Sequence, residues 1–373
     1  MGVRLMESSG KGLNYGTIFT LVGAILAFSI GSGYSTGQEV VQFITSYGYQ
    51  GLLVGVVFLV IFGYSNYAYA KAGSIGKFDK GADVYRYFCG NVVGTAYDVF
   101  SVVFCYMSFI VMIGGASATL QQQYGVPISV GGLIITVLAA ATVIMGLKSL
   151  VNIIGKIGPV IVVICTVVGL YALIHDGSNI PVAIQKINSG EVEVMQASSH
   201  WLLAGGSYAG FCMLWFGGFM AKIGSENKQR EVKIAVILAA ILNTLAIVVS
   251  GFALTANVEL VNTAQIPNLV LVNRLLPFFA PVFALVVFLA IYTTSVPLLW
   301  TAASRFAEEK SKKFYIITLS LAPVGYFIAL NVPFNKLLNV VYVINGYAGI
   351  VLLGFIIVKN IKLRMNKDIE EVS

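Results

Sequence analysis

Charged side chains are scarce in this sequence. They make up 10% of the 373 residues, whereas an ordinary soluble domain contains about 25%. Hydrophobic residues make up 58%, and apolar runs long enough to cross a bilayer recur from Tyr15 to Val358. Because the polar loops between these runs are too short to form an added domain, we predict one all-α integral membrane domain that covers residues 1–373.

Histidine and cysteine are also scarce, and both are scattered. The two histidines lack the spacing of metal ligands. The four cysteines lie far apart, and a free cysteine in a membrane helix behaves as a small hydrophobic residue. The sequence has no paired acids within a span and no nucleophile beside a base. We therefore expect neither an enzyme nor a resident cofactor, and sodium is the one candidate metal ion.

The apolar runs predict ten transmembrane helices. The first and third are longer than a bilayer requires, which is typical of a broken helix and a tilted one. The predicted spans are 14–46, 49–71, 92–122, 128–147, 152–174, 200–222, 232–256, 277–304, 314–332 and 335–358.

The distribution of basic residues predicts the orientation of these helices. If the amino terminus lies in the cytoplasm, every lysine and arginine except Lys186, Arg274 and Lys336 falls on the cytoplasmic side. This positive-inside bias supports an even number of spans with both termini cytoplasmic. It also explains the net charge of +7 without nucleic acid, because basic loops face anionic membrane lipids.

Two spans contain polar interruptions. Residues 29–44 of the first span are SIGSGYSTGQEVVQFI, and residues 205–211 of the sixth span are GGSYAGF. Both segments place glycine and serine around a tyrosine, Tyr34 or Tyr208. Helices five apart in the count cross the membrane in opposite directions. A matching pair of interrupted helices is the best sequence pointer to the binding site of a secondary transporter.

The paired interruptions predict a five-plus-five inverted repeat. The two halves would be approximately 14–174 and 200–358, with helices 1 and 6 unwound near 31–36 and 205–210. For the sixth span taken alone, the packing of glycine against a neighbouring helix is an equally good interpretation.

A helix that breaks inside the membrane exposes backbone groups that can bind ligands. Its carbonyl end suits a cation, its N–H end suits an anionic group, and glycine lets a ligand approach closely. We therefore predict a solute pocket at the two breaks, with a tyrosine of the third span nearby. The predicted residues are Ser32, Gly33, Tyr34, Ser35, Tyr106, Ser207, Tyr208 and Gly210.

Glu39 follows the first break and has two interpretations. The sequence Thr36-Gly37-Gln38-Glu39 fits a capping box, in which Glu39 bonds back to the Thr36 N–H. Alternatively, a carboxylate within the membrane is a candidate for binding a proton or a coupling cation. Both interpretations stay open, since a capping carboxylate can also titrate.

The segment IGSGYSTGQEVVQF resembles the first helix of the YkvI-like bacterial membrane proteins. These belong to the amino acid–polyamine–organocation group, which has the LeuT-type fold. The resemblance implies a bacterial cytoplasmic membrane protein with ten helices in a five-plus-five inverted repeat, helices 1 and 6 being broken. It also implies cation- or proton-coupled transport of amino acids or similar solutes by alternating access.

The resemblance further implies a sodium site between the first and eighth spans. In AIYTTSVP (290–297), the eighth span would supply the Ala290 carbonyl and the Thr293 and Thr294 hydroxyls. The carbonyls of Ala27 and Ile30 would complete the site from the first span. The chain lacks the Asn and Arg-Phe-Pro that continue the first helix of neurotransmitter symporters, which argues against their chloride-dependent mechanism and outer arginine gate.

These features predict a secondary active transporter of a small amino-acid-like or amine solute, coupled to sodium or protons. A second function is compatible with the same fold. The chain would then be a ligand receptor or an ion-conducting protein, like the membrane subunits of spore germinant receptors. Accumulation of solute against a gradient distinguishes the transporter from the receptor.

Overall fold

All regular secondary structure in the described part of the chain is helical. The computed structural model describes residues 13–29, 32–76, 78, 83–145 and 148–372. Short 3₁₀ turns at Thr45–Gln50 and Gly177–Asn179 link some of the helices. The α-helices are α1 (Tyr15–Ser29), α2 (Ser32–Thr36), α3 (Gln38–Phe43), α4 (Gly51–Gly76), α5 (Asp83–Tyr124), α6 (Ile128–Met145), α7 (Lys148–Asp176), α8 (Ile180–Ser189), α9 (Trp201–Glu226), α10 (Gln229–Thr255), α11 (Val258–Val261), α12 (Pro267–Leu275), α13 (Ala280–Ser304), α14 (Lys312–Asn331) and α15 (Phe334–Val372).

The helices match the predicted spans. Within the described residues, nine helices are long and apolar enough to cross a membrane. They correspond to the second to tenth predicted spans, and α1, α2 and α3 together form the first. Two long loops, at 175–199 and 257–276, contain helices of their own, which are α8 in the first and α11 with α12 in the second. The inverted repeat of 14–174 and 200–358 stays a prediction.

The first span is interrupted, as predicted, but the residues that leave the helix differ from the predicted ones. Helix α1 ends at Ser29, and residues 30–31 lie outside the described residues. Residues 32–36, which we expected to be unwound, form the single turn of α2. The chain then turns at Gly37, whose φ of 84° is left-handed. Glycine adopts this conformation without the steric cost that a side chain brings.

The predicted break in the sixth span is wrong. Helix α9 runs without interruption through all 26 residues from Trp201 to Glu226. Its glycines instead allow close helix packing. A Cβ on Gly210 would collide with the Gly346 carbonyl of α15, and one on Gly224 would collide with the Ala70 carbonyl of α4. Small residues let membrane helices approach closely, so α9 is held between α4 and α15.

Helix α5 is divided near its start. Gly90 has non-helical angles (φ 75°, ψ 175°), so the charged segment before it changes direction relative to the long third span. Asp98 follows this division and is buried at 3% exposure. It accepts hydrogen bonds from Arg86 at 3.2 Å and Arg305 at 2.8 Å. This pairing ties α5 to the end of α13.

Candidate functional site

A residue from the loop between α10 and α13 forms hydrogen bonds with the break in the first span. Asn268, in the first turn of α12, donates from Nδ2 to the carbonyl oxygens of Tyr34 at 3.1 Å and Ser35 at 3.2 Å. Both carbonyls lie at the end of α2, and the Tyr34 carbonyl also accepts a hydrogen bond from the Gly37 N–H at 3.0 Å. The loop between α10 and α13 therefore provides hydrogen bonds to backbone carbonyls at the break.

Gly37 lies directly against Asn268. A Cβ at residue 37 would come within 2.8 Å of the Asn268 side chain and 3.0 Å of its backbone nitrogen. Glycine is thus required here both by the left-handed backbone and by the close approach of α12. We had predicted the break but not Asn268, whose only local signal is Pro267 at the start of a helix.

Glu39 does not form the predicted capping box. The N-cap of α3 is Gly37, while Thr36 Oγ1 donates to the Gly33 carbonyl at 3.1 Å and accepts from the Gln38 N–H at 3.3 Å. The Glu39 carboxylate folds back over α2, so that a Cβ on Gly33 would collide with it. The capping-box interpretation, in which Glu39 bonds to the Thr36 N–H, is therefore wrong.

Glu39 is buried, with 5% of its surface exposed. The Tyr208 hydroxyl of α9 faces its carboxylate without a well-formed hydrogen bond to any described residue. The Tyr208 ring packs against Phe43 at 4.7 Å and Phe58 at 4.8 Å between centroids. The structure thus brings Glu39, Gly33 and Tyr208 together beside aromatic rings, which we call the Glu39 cluster (Gly33, Glu39, Phe43, Phe58 and Tyr208).

Other predicted pocket residues lie near the break but face elsewhere. Tyr34 is buried, and its hydroxyl shares hydrogen bonds with Ser250 at 3.3 Å and Thr166 at 3.4 Å, between α10 and α7. The Ser207 hydroxyl donates to the Ala204 carbonyl in its own helix at 3.2 Å. Both hydroxyls therefore have protein partners. Ser32 is described as backbone only.

Two further predicted pocket residues serve helix packing. Gly210 faces α15, as described above. The Tyr106 hydroxyl donates to the Leu321 carbonyl of α14 at 2.9 Å. This bond ties the third span to the ninth, so Tyr106 is not part of the Glu39 cluster.

The predicted cation ligands of the eighth span converge on one atom. Thr293 Oγ1 and Thr294 Oγ1 donate to the Ala290 carbonyl at 2.9 and 3.1 Å. Four residues after Thr293, Pro297 has no N–H to donate to the Thr293 carbonyl. Two hydroxyls and two carbonyls are thus concentrated on one turn of α13, and oxygen ligands suit a hard cation.

The first-span part of the predicted cation site is less fully described. Ala27 lies in α1 and is described as backbone only, and Ile30 lies outside the described residues. Helix α13 packs against α2, which places the two spans in contact.

A network of amides joins the predicted outer ends of the helices. Gln42 of α3 donates to the Asn335 carbonyl at 3.0 Å and accepts from Asn339 at 2.8 Å. Gln265 accepts from the Asn335 N–H at 3.2 Å, and Asn339 donates to the Gln196 carbonyl at 3.2 Å. These uncharged contacts, which the sequence did not predict, link α3 and α15 to the loops at 175–199 and 257–276.

An open groove lies beside this network. Its volume is about 620 Å³. It is lined by Ile187, Gly190, Val192, Glu193, Val194, Met195, Gln196, Asn262, Thr263 and Asn335.

The sequence is similar to two proteins of Bacillus subtilis (strain 168). It is 20% identical over 361 residues to the membrane protein YkvI, covering 95% of this chain and 98% of YkvI. It is 25% identical over 335 residues to the protein YyaD, covering 88% and 93% of the two chains. No family model matches the chain. The chain is a relative of YkvI. The resemblance noted in the first helix is therefore confirmed along almost the whole length.

Solved structures confirm the fold. MhsT, solved in complex with L-phenylalanine, matches with a TM-score of 0.60 at 13% identity. The matched region covers 93% of this chain and 89% of the MhsT chain. A manganese transporter of Eremococcus coleocola has a TM-score of 0.54 at 14% identity, with coverage of 95% and 81%. Mhp1, a nucleobase-cation-symport-1 family transporter, has a TM-score of 0.51 at 13% identity, with coverage of 90% and 78%. This relative of YkvI is an all-α membrane protein with the LeuT-type fold.

Proposed function

We propose that the protein is a secondary active transporter of a small amino-acid-like or amine solute. The observation that carries the proposal is the interrupted first span. A carboxylate, the carbonyls of α2 and a left-handed glycine meet at one place within an otherwise apolar helix. Irregular backbone within a membrane is tolerated where it is buried in protein or lines a cavity, and such breaks form the central sites of secondary transporters.

The fold supports this proposal. MhsT, the manganese transporter and Mhp1 share the architecture, although their solutes differ. Fold similarity alone does not identify a solute, so the choice of an amino-acid-like or amine solute depends on the polar break itself. The absence of a paired acid, metal motif or nucleophile in the sequence supports transport over catalysis.

The buried state of the break supports an alternating-access mechanism. Tyr34, Glu39 and Tyr208 are each at most 5% exposed, so solute reaches them only when helices move. The amide network above the break and the Asp98 pairing at the opposite end of the helices would be remade as the site opens to each side. Bonds between uncharged amides are individually weak enough to exchange with water.

We propose that coupling uses a cation. The oxygen-rich turn at Ala290, Thr293 and Thr294 suits sodium, with carbonyls of the first span at Ala27 and Ile30 completing the shell. Glu39 is the alternative carrier, as a proton site. The charge bias of the loops supports cytoplasmic termini, and the similarity to two Bacillus subtilis proteins supports a bacterial cytoplasmic membrane.

Reconstitution tests the proposed function. Purified protein in liposomes is given a radiolabelled panel of amino acids and amines, with an inward gradient of sodium, of protons or of neither. We expect one gradient to drive accumulation of a solute above its external concentration. Ion flux on addition of a solute, without its accumulation, would contradict the proposal and indicate the receptor or ion-conducting alternative.

A further inference from the structure

The amino-terminal end of α3 is already occupied by a carboxylate. Glu39 lies in the first turn of α3, and its side chain folds back to Gly33. From the sequence we expected this helix end to bind the carboxylate of a solute. In the structure, a solute carboxylate placed there would instead meet the Glu39 carboxyl group, which repels it when ionised.

No positive charge accompanies Glu39 in the described part of the chain. The titratable side chains that interact with it electrostatically are Tyr34, Tyr208 and Cys212, and none of them carries a positive charge. Every ion pair formed by the described residues involves another acid. A buried carboxylate requires a cation or a proton to offset its lost hydration. Since no described residue supplies a cation, Glu39 holds a proton or binds a cation that comes from outside the protein.

The surroundings of the carboxylate suit an organic cation. Phe43 lies four residues after Glu39 and therefore on the same face of α3. Tyr208 contacts Phe43 and faces the carboxylate. Aromatic faces attract ammonium groups, and the attraction is strongest where water is excluded. The carboxylate and these two rings together offer one charge partner and apolar walls to an alkyl or aryl ammonium ion.

We propose that the solute is a cationic amine without a carboxylate, and that Glu39 binds its ammonium group within the Glu39 cluster. This inference rests on the proposed transport function and narrows its solute class. The ammonium ion replaces the proton on Glu39 when it binds, and that proton is released to water, so that the buried carboxylate is never left uncompensated.

Matched pairs of compounds that differ only in the carboxylate test this proposal. The pairs are phenethylamine with phenylalanine, isobutylamine with valine, and cadaverine with lysine. Binding to the purified full-length protein is measured by isothermal titration calorimetry and thermal shift. We expect at least one amine to bind about tenfold or more tightly than its amino acid, because the carboxylate of the amino acid is repelled by the ionised Glu39.

Variants assign the effect to Glu39. Glu39→Gln should weaken binding of that amine about tenfold or more, whereas Glu39→Asp, which keeps the charge, should retain part of the affinity. The matched control is Glu231→Gln. Glu231 is also buried in the first turn of a helix, but it accepts a hydrogen bond from Asn14 N at 3.0 Å away from the cluster. This control should bind the amine as the wild type does.

Three results would overturn the proposal. These are tighter binding of the amino acid in every pair, failure of all three amines to bind, and unchanged amine affinity in folded Glu39→Gln protein. The first leaves the proposed transport function intact, since amino acids would then be the solutes. The transport function itself is tested by the liposome experiment, where it fails if no solute accumulates.

Discussion

Asn268 donates a hydrogen bond to the Tyr34 carbonyl across 234 residues of sequence, at 3.1 Å. The same amide binds the Ser35 carbonyl, so one side chain of an outer helix satisfies two carbonyls at the break. Replacing Asn268 by Leu keeps the approximate volume and removes both of these hydrogen bonds, while the Tyr34 carbonyl keeps its bond from the Gly37 N–H at 3.0 Å. We expect a loss of about 2 kcal/mol in stability, seen as a lower midpoint of thermal unfolding in detergent.

Asn331→Leu is the matched control for this change. Its amide donates to the Phe327 carbonyl of its own helix at 2.7 Å and is exposed, so water replaces the lost bond. Equal loss of stability in the two variants would show that the bonds from Asn268 have no special role at the break.

Gly37 should not accept even a methyl group. Alanine in the left-handed region costs about 1 kcal/mol, and its Cβ would also lie 2.8 Å from Asn268. Gly190 shares the left-handed backbone, with φ 76°, but has no described atom within 4 Å of a Cβ position. Thermal unfolding should therefore place Gly37→Ala below Gly190→Ala. Similar values for the two variants would contradict the packing of α12 against the break.

Gly33 and Glu39 should be energetically coupled. A Cβ at residue 33 would lie 2.9 Å from the Glu39 Cβ and still closer to its carboxylate. Even Gly33→Ala must therefore displace the Glu39 side chain, and a large residue such as leucine would disturb the fold as well as any binding. The effects of Gly33→Ala and Glu39→Ala on unfolding should be non-additive by about 0.5–3 kcal/mol, as is typical of residues in contact.

The control cycle pairs Gly33→Ala with Glu231→Gln, whose sites do not touch. Here we expect additivity within about 0.5 kcal/mol. Additive effects in the Gly33–Glu39 cycle as well would mean that the carboxylate does not lie over Gly33.

The hydroxyls of α13 test sodium coupling. Replacing Thr293 and Thr294 together by Val removes both oxygens that converge on Ala290, and we expect thermal stabilisation by sodium to disappear. Thr301→Val is the control, because this hydroxyl also bonds back within α13, to the Pro297 carbonyl at 2.7 Å. If the wild type is not stabilised by sodium, with or without solute, the sodium interpretation is wrong and Glu39 remains as the proton carrier.

The spans and the first break could be predicted because their signals are local. A run of about 20 apolar residues predicts a membrane helix, and the polar segment 29–44 departs from that pattern over more than one turn. The location of the bend at Gly37, beyond the predicted 31–36, depends on the approach of Asn268. That contact joins residues far apart in the chain, and no local pattern records it.

The sixth span shows why glycine alone is ambiguous. The same Gly and Ser residues that open one helix allow another to pack closely, and only the neighbouring helix decides between these outcomes. In α9, Gly210 meets Gly346 of α15, so the helix remains intact. Likewise, the sequence shows that Glu39 is an unusual residue within a span. Its contact with Gly33 depends on how α2 and α3 fold together, which no local pattern predicts.

Hydrogen–deuterium exchange of the purified wild-type protein tests most directly whether solute binds at the first break. The solute is the panel member that gives the largest thermal shift. We predict that it slows amide exchange in residues 33–43 and in α9 near Tyr208, while exchange in α6 is unchanged. Protection confined to the outer groove, at 187–196 and near Asn335, with no change in 33–43, would contradict the account.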